Sequence, residues 1–222
     1  MTKAVWTEVD GYFGALFAPE DAALANALRR GAEAGLPQIQ VSSSQGKLLH
    51  ILARAIGAKR ILEIGTLAGY STIWLARALA PGGRVTTLEF DPAHAALAAE
   101  NFAQAGLADR IDLRVGAALD ALPALAAEPP FDFVFIDADK ENIPAYFTTT
   151  LAMTRPGGII IVDNVVRDGR VVDASSDDGA ILGVRRFNAL AAQEKRVSAS
   201  AIQTVGAKGY DGFCVLLVED AA

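Results

Sequence analysis

The chain has 222 residues, 52% of them hydrophobic and 21% charged, with a formal net charge of −6. This composition can fill a core and argues against intrinsic disorder, while the acidic balance speaks mildly against nucleic acid as a main partner, which would call for a basic face. A lone cysteine, Cys214, excludes an intramolecular disulfide and a cysteine-rich zinc site, and its apolar setting, FCVLLV, predicts a packing role.

The N-terminal stretch has no apolar signal core, and no run is long enough to span a membrane. The expectation is one cytoplasmic domain over residues 1–222, with a helical region at 1–57 that precedes the sheet. That region carries amphipathic periodicity, including Gln45–Ile56. Short apolar runs then alternate with helical patterns. Strands are predicted at Arg60–Ile64, Arg84–Glu89, Ile111–Val115, Phe131–Ile136 and Gly158–Val162. Helices are predicted between them at Tyr70–Ala80, Pro92–Ala105, Leu119–Ala127 and Ile143–Met153. Unbroken hydrophobicity at 131–136 and 158–162 marks strands covered on both faces, so the alternation implies a parallel sheet. After a helix at Ala180–Ala192 come two strand-like runs, Arg196–Thr204 and Gly212–Val218. The segment between them is too short for a crossover helix, so an antiparallel edge pair is expected.

Two strand ends stop abruptly at acids, FVFIDADK (133–140) and IIIVDN (159–164). In open α/β sheets ligands bind outside the carboxyl ends of the strands. Neighbouring ends could bring Asp137, Asp163 and Asn164 together as hard oxygen donors suited to Mg²⁺, Mn²⁺ or Ca²⁺. Consecutive strand residues face opposite sides, so Asp163 and Asn164 can act jointly only if the strand ends there. Lys140 follows as a possible base.

The run RILEIGTLAGYSTIWLARAL reads as strand, glycine turn, helix. Gly65 and Gly69 allow a tight turn and close approach to a ligand, and Ser71 and Thr72 lie near the helix start, where free N–H groups are available. The spacing is not the G-x-G-x-x-G of a dinucleotide site. Glu89 ends the second strand, where an acid can accept hydrogen bonds from the ribose hydroxyls of an adenosine group.

Other residues read as structural. His50 and His94 lack a ligand partner nearby in sequence, and Asp120 and Asp132 suit turns or strand edges. Trp6, Tyr12 and Phe13 suit core or interface packing. The polar segment 167–187 offers Arg167, Arg170, Arg185 and Arg186 to an anionic group, and a solvated loop explains it equally well.

Taken in order, LEIGTLAGYS, the Glu89 strand end, VGAALDALP, FDFVFIDADK and PGGIIIVDNVV resemble the cation-dependent class I O-methyltransferases, the family of the caffeoyl-CoA and catechol enzymes and of small bacterial members. The resemblance runs from about Val41 to Val218. It implies a Rossmann-like α/β fold with helices on both faces of a seven-stranded, mostly parallel sheet whose last strand is antiparallel. It implies S-adenosylmethionine across the strand ends, its methionine part near Val41, Glu63, Gly65 and Ser71, its ribose on Glu89 and its adenine near Ala117 and Ala118. Asp137 would face both cofactor and metal, Asp163 and Asn164 would complete the metal ligands, and Lys140 would be the catalytic base. A homodimer is implied as well, acting on small phenolics and on neither nucleic acid nor membrane. The pattern departs from the animal catechol enzymes at 204–210, TVGAKGY, which lacks their substrate-binding acid.

The chemistry suits these residues. A neutral phenol is a poor nucleophile, and a hard dication, Mg²⁺ foremost, can orient two adjacent oxygens of a catechol, hydroxycinnamate or flavonoid-like acceptor and stabilise one as an oxyanion. A free lysine, with a pKa of about 10.4, must lose its proton to act as a base; a nearby dication would favour that loss, and Asp139 and Glu141 would oppose it. If charged, Lys140 would stabilise the phenolate instead. Two rival readings are a nucleotide-dependent oxidoreductase and a non-catalytic S-adenosylmethionine-binding protein.

Overall fold

Seven strands make one sheet in the order β3-β2-β1-β4-β5-β7-β6 in the computed structural model, which describes residues 2–220. The strands are β1 (Arg60–Ile64), β2 (Arg84–Glu89), β3 (Ile111–Val115), β4 (Phe131–Ile136), β5 (Thr154–Asp163), β6 (Val197–Gly206) and β7 (Gly209–Val218). The first five pair in parallel, and β7 inserts antiparallel between β5 and β6. The expected edge pair is therefore a hairpin, turned at Ala207 and Lys208, whose second strand joins the sheet.

Period-two alternation explains how both faces are covered. Ile61, Phe133, Phe135, Ile159 and Ile161 pack on one face, against residues of α2 (Ala22–Glu33), α3 (Ser43–Ala55), α4 (Tyr70–Ala78) and α5 (Pro92–Gln104). Leu62, Val134, Ile136, Ile160 and Val162 pack on the other, against α6 (Ala118–Leu125), α7 (Ile143–Ala152) and α8 (Gly179–Gln193). Cys214 is buried in this second layer, as its apolar setting predicts. Asp132 accepts from the Lys59 and Arg60 amides and pairs with Arg155, so it is the structural acid that its position suggests.

Helix starts carry local signals. Asp91 caps α5 through the Ala93 amide with Pro92 in the first turn, Asp178 caps α8, and Ser42 caps α3 by accepting from the Gln45 amide at 3.2 Å. The N-terminal helix α1 (Lys3–Phe17) buries no residue. Tyr12, Phe13 and Phe17 on it are exposed, so Tyr12 and Phe13 do not belong to the core of this chain.

From β1 the chain steps outward through β2 to β3, then returns to place β4 on the other side of β1. At that reversal the connections leave β1 and β4 in opposite directions and open a crevice beyond their carboxyl ends.

Candidate active site at the strand tips

Gly65 follows β1 with a φ of 99° and marks the closest approach of two strand tips. A Cβ there would collide with the Asp137 carbonyl oxygen, so glycine lets the end of β1 lie directly against the end of β4. The Asp137 amide donates to the Ile64 carbonyl at 2.9 Å and continues the pairing to that point.

A cavity of about 1000 Å³ opens here. Val41, Gly65, Ser71, Glu89, Ala117 and Ala118 line one part of it. Asp137, Lys140, Asn164 and Arg167 line another. Of the predicted site residues, Glu63 and Asp163 stand behind this wall, at 0% and 5% exposure.

Glu63 accepts hydrogen bonds from Ser71 at 2.6 Å, Thr72 at 2.5 Å and Thr87 at 2.7 Å. Its contact with the cavity thus runs through the Ser71 hydroxyl. Burial pushes the Glu63 carboxyl up to about 7, with the three hydroxyls opposing and the Asp137 charge adding to the rise. Glu89 braces the glycine loop: one oxygen accepts from the Thr66 and Leu67 amides, the other from the Asp91 amide at 2.9 Å.

The strand ends where joint action of Asp163 and Asn164 would require it to. β5 ends at Asp163, and Asn164 turns to a left-handed φ of 60°, so the two side chains are freed from strict strand alternation. Asp163 accepts from the Asn164 amide at 2.8 Å and from Gln45 Nε2 at 2.7 Å. Burial, then the negative charge of Asp137, holds the Asp163 carboxyl well above the usual carboxylate range, and Lys140 works against them. Lys140 Nζ lies 2.9 Å from Asp137 Oδ1. Excess negative charge thus gathers at the two tips, with oxygen donors from Asp137, Asp163 and Asn164, a set whose chemistry fits a hard dication. Among the described residues no group of three or more His, Cys, Asp or Glu could hold a metal, so a dication here would need the carboxamide of Asn164 beside the two carboxylates.

Sequence reasoning missed several contributors. Gln45 lies on a helix before the first strand, and only the fold carries it to Asp163. His94, read as structural, lines the cavity with Nδ1 3.6 Å from Glu89 Oε1. Its place three residues after the α5 cap, on the helix that follows the Glu89 strand, was the available signal. Tyr146 also lines the cavity and donates to Asp139 at 2.5 Å.

Comparison with known proteins sharpens the picture. A family model described as O-methyltransferase matches residues 16–213. The chain is 49% identical to a catechol O-methyltransferase of Niastella koreensis, over 99% of this chain and 100% of that protein. The structure resembles an O-methyltransferase of Bacillus cereus in complex with SAH, with a TM-score of 0.96, 52% identity and coverage of 98% of this chain and 100% of that one. It resembles equally, at a TM-score of 0.96, 50% identity and 99% of each chain, the O-methyltransferase TomG of Streptomyces achromogenes, involved in tomaymycin synthesis, in complex with SAM.

Proposed function

This chain belongs to the O-methyltransferase family, whose members compared above are S-adenosylmethionine-dependent enzymes, and on that basis we propose that it methylates one hydroxyl of a small vicinal-dihydroxy aromatic with the help of a divalent cation. The meeting of Asp137, Asp163 and Asn164 at two adjoining strand tips, beside Lys140, carries this reading. The catechol name of the Niastella koreensis relative supports the acceptor class.

When bound, a hard dication supplies Lewis acidity and a template for two adjacent oxygens, and Mg²⁺ fits the donors best. The chain's own residues do the rest. Gly65, Ser71 and Val41 receive the methionine part of S-adenosylmethionine, with Glu63 fixing the Ser71 hydroxyl from behind. Glu89 keeps one oxygen with a single amide donor, which leaves it free to accept from a ribose hydroxyl, and Ala117 and Ala118 form an apolar wall for adenine. Lys140 sits beside Asp137 on the acceptor side, where it takes the hydroxyl proton if neutral and stabilises the oxyanion if charged.

We extend the proposal to the assembly and its setting. The open apolar face of α1, with Val9, Tyr12, Phe13, Leu16 and Phe17, supports a homodimer, and the acidic charge supports small phenolics over nucleic acid. The lone buried cysteine is in keeping with the reducing cytoplasm, and no helix among the described residues is long and apolar enough to cross a membrane.

Labelled-methyl transfer to a vicinal diol and to its monohydroxy analogue, both with Mg²⁺, tests the reading. Transfer confined to the diol is expected; transfer to the monohydroxy analogue alone would overturn it.

A further inference from the structure

We propose that Arg167 and Lys208 form a cationic rim on the cavity and select aromatic acceptors that carry a carboxylate beyond their two hydroxyls. This rests on the methyl-transfer reading above and adds a substrate class to it.

Arg167 follows the last strand-tip donor by three residues and has a left-handed φ of 56°. Asp211 holds that turn, its Oδ1 accepting from the Val166 amide at 3.0 Å and the Arg167 amide at 2.9 Å. Arg167 lines the cavity, and its Nε is buried without a hydrogen-bond partner. The rest of its guanidinium makes no side-chain hydrogen bond among the described residues either, so those donors are free for an acceptor oxygen brought by a ligand.

Lys208 occupies the turn between β6 and β7 and lines the same cavity. Its ammonium donates to the Gln38 carbonyl at 2.8 Å, which leaves two of its three donors free. The segments that carry the two cations meet, because the Asp168 amide donates at 3.1 Å to the Tyr210 carbonyl at the start of β7. Neither makes an ion pair among the described residues.

The acids at this end are engaged elsewhere. Asp137 pairs with Lys140, Asp139 accepts from Tyr146 and Asn142, and Asp211 accepts from three backbone amides. Asp10 accepts from the Ala207 amide at 2.8 Å, and Asp168 is exposed. Two cations without an ion pair thus line the same cavity as the strand tips. An acceptor whose carboxylate lies across the ring from its diol would place each group against its complement: the diol at the tips, the anion on the rim. Paired forks and ammonium donors are the usual means of holding a carboxylate.

The matched substrates 3,4-dihydroxybenzoate and its methyl ester test this on the full-length enzyme with Mg²⁺. The readout is the acid-to-ester ratio of kcat/KM. The wild type is expected to favour the acid by roughly tenfold, and Arg167→Gln to lower the ratio by about the same factor. Lys208→Gln, on an exposed turn that tolerates change, is expected to lower it about threefold and keeps the test open should the arginine variant fail to fold. A ratio near one in the wild type, or unchanged in both variants, overturns the proposal. So does a rise in the KM for S-adenosylmethionine at constant ratio, which would mean that the rim holds the cofactor's carboxylate. If the wild type methylates neither compound, the methyl-transfer reading itself falls and the rim with it; transfer to both without preference sinks the rim alone.

Discussion

Gln45 Nε2 donates to Asp163 Oδ2 at 2.7 Å, across 118 residues of sequence. The bond ties a helix that precedes the sheet to the tip of β5, and the Ser42 cap fixes the turn from which Gln45 projects. Asp163 is buried, so its carboxylate depends on such donors for the solvation it has lost. Gln45→Leu is therefore expected to destabilise the protein by about 2 kcal/mol, the usual scale for a hydrogen bond to a charged group. Denaturant unfolding in mildly alkaline buffer, where the raised Asp163 carboxyl is ionised, checks this. A change within about 0.5 kcal/mol would mean that water replaces the amide without loss.

On the proposed reading, Lys140 acts in the reaction as well as pairing with Asp137. Lys140→Ala is expected to lower kcat by about 10²- to 10⁴-fold, the range for a positioned proton-transfer or oxyanion-stabilising group. The affinity for S-adenosylmethionine should hold within about threefold if Lys140 serves the acceptor as proposed. Steady-state kinetics with calorimetric titration of the cofactor separates the two. Parallel loss of both would make the lysine a structural counter-ion to Asp137.

Glu63 should leave a mark on stability against pH. Its carboxyl, ordinarily near 4.5, rises to about 7 on folding. The folded state therefore holds the proton more tightly than the unfolded state. The resulting stabilisation is complete below about pH 4.5 and is lost as pH rises through about 7. Relative to Glu63→Gln, which cannot titrate, the cofactor-free protein should lose up to about 3 kcal/mol between those limits. Thermal melts of both forms across this window supply the comparison. Parallel curves would show that the three hydroxyls stabilise the ionised form fully.

Much of this was legible in the sequence because strong local signals coincide with the fold. Continuous apolar runs announced β4 and β5, and the acids that stop them fell at the tips, where the left-handed Asn164 frees the 163–164 pair from alternation. What stayed hidden depends on pairing across distance. The order of β6 and β7 follows from β7 docking on β5, which no local pattern encodes. Gln45 reaches Asp163 only once α3 packs beside the sheet. Glu63, assigned through the family resemblance, lies one layer behind the cavity and meets it through Ser71, since a strand's period assigns alternate residues to opposite faces but does not say which face meets the ligand. The exposure of Tyr12 and Phe13 was equally out of reach, because an amphipathic helix presents the same pattern to a core as to a partner.

The most direct test of the central claim, that the tips of β4 and β5 hold a dication for the acceptor, is methyl transfer to catechol after exhaustive chelation and again after Mg²⁺ is restored. Activity is expected to vanish and return, whereas Asp163→Ala should stay inactive in Mg²⁺ while binding S-adenosylmethionine nearly as the wild type does. Turnover indifferent to the chelator, or an Asp163→Ala enzyme that retains it, would contradict the account.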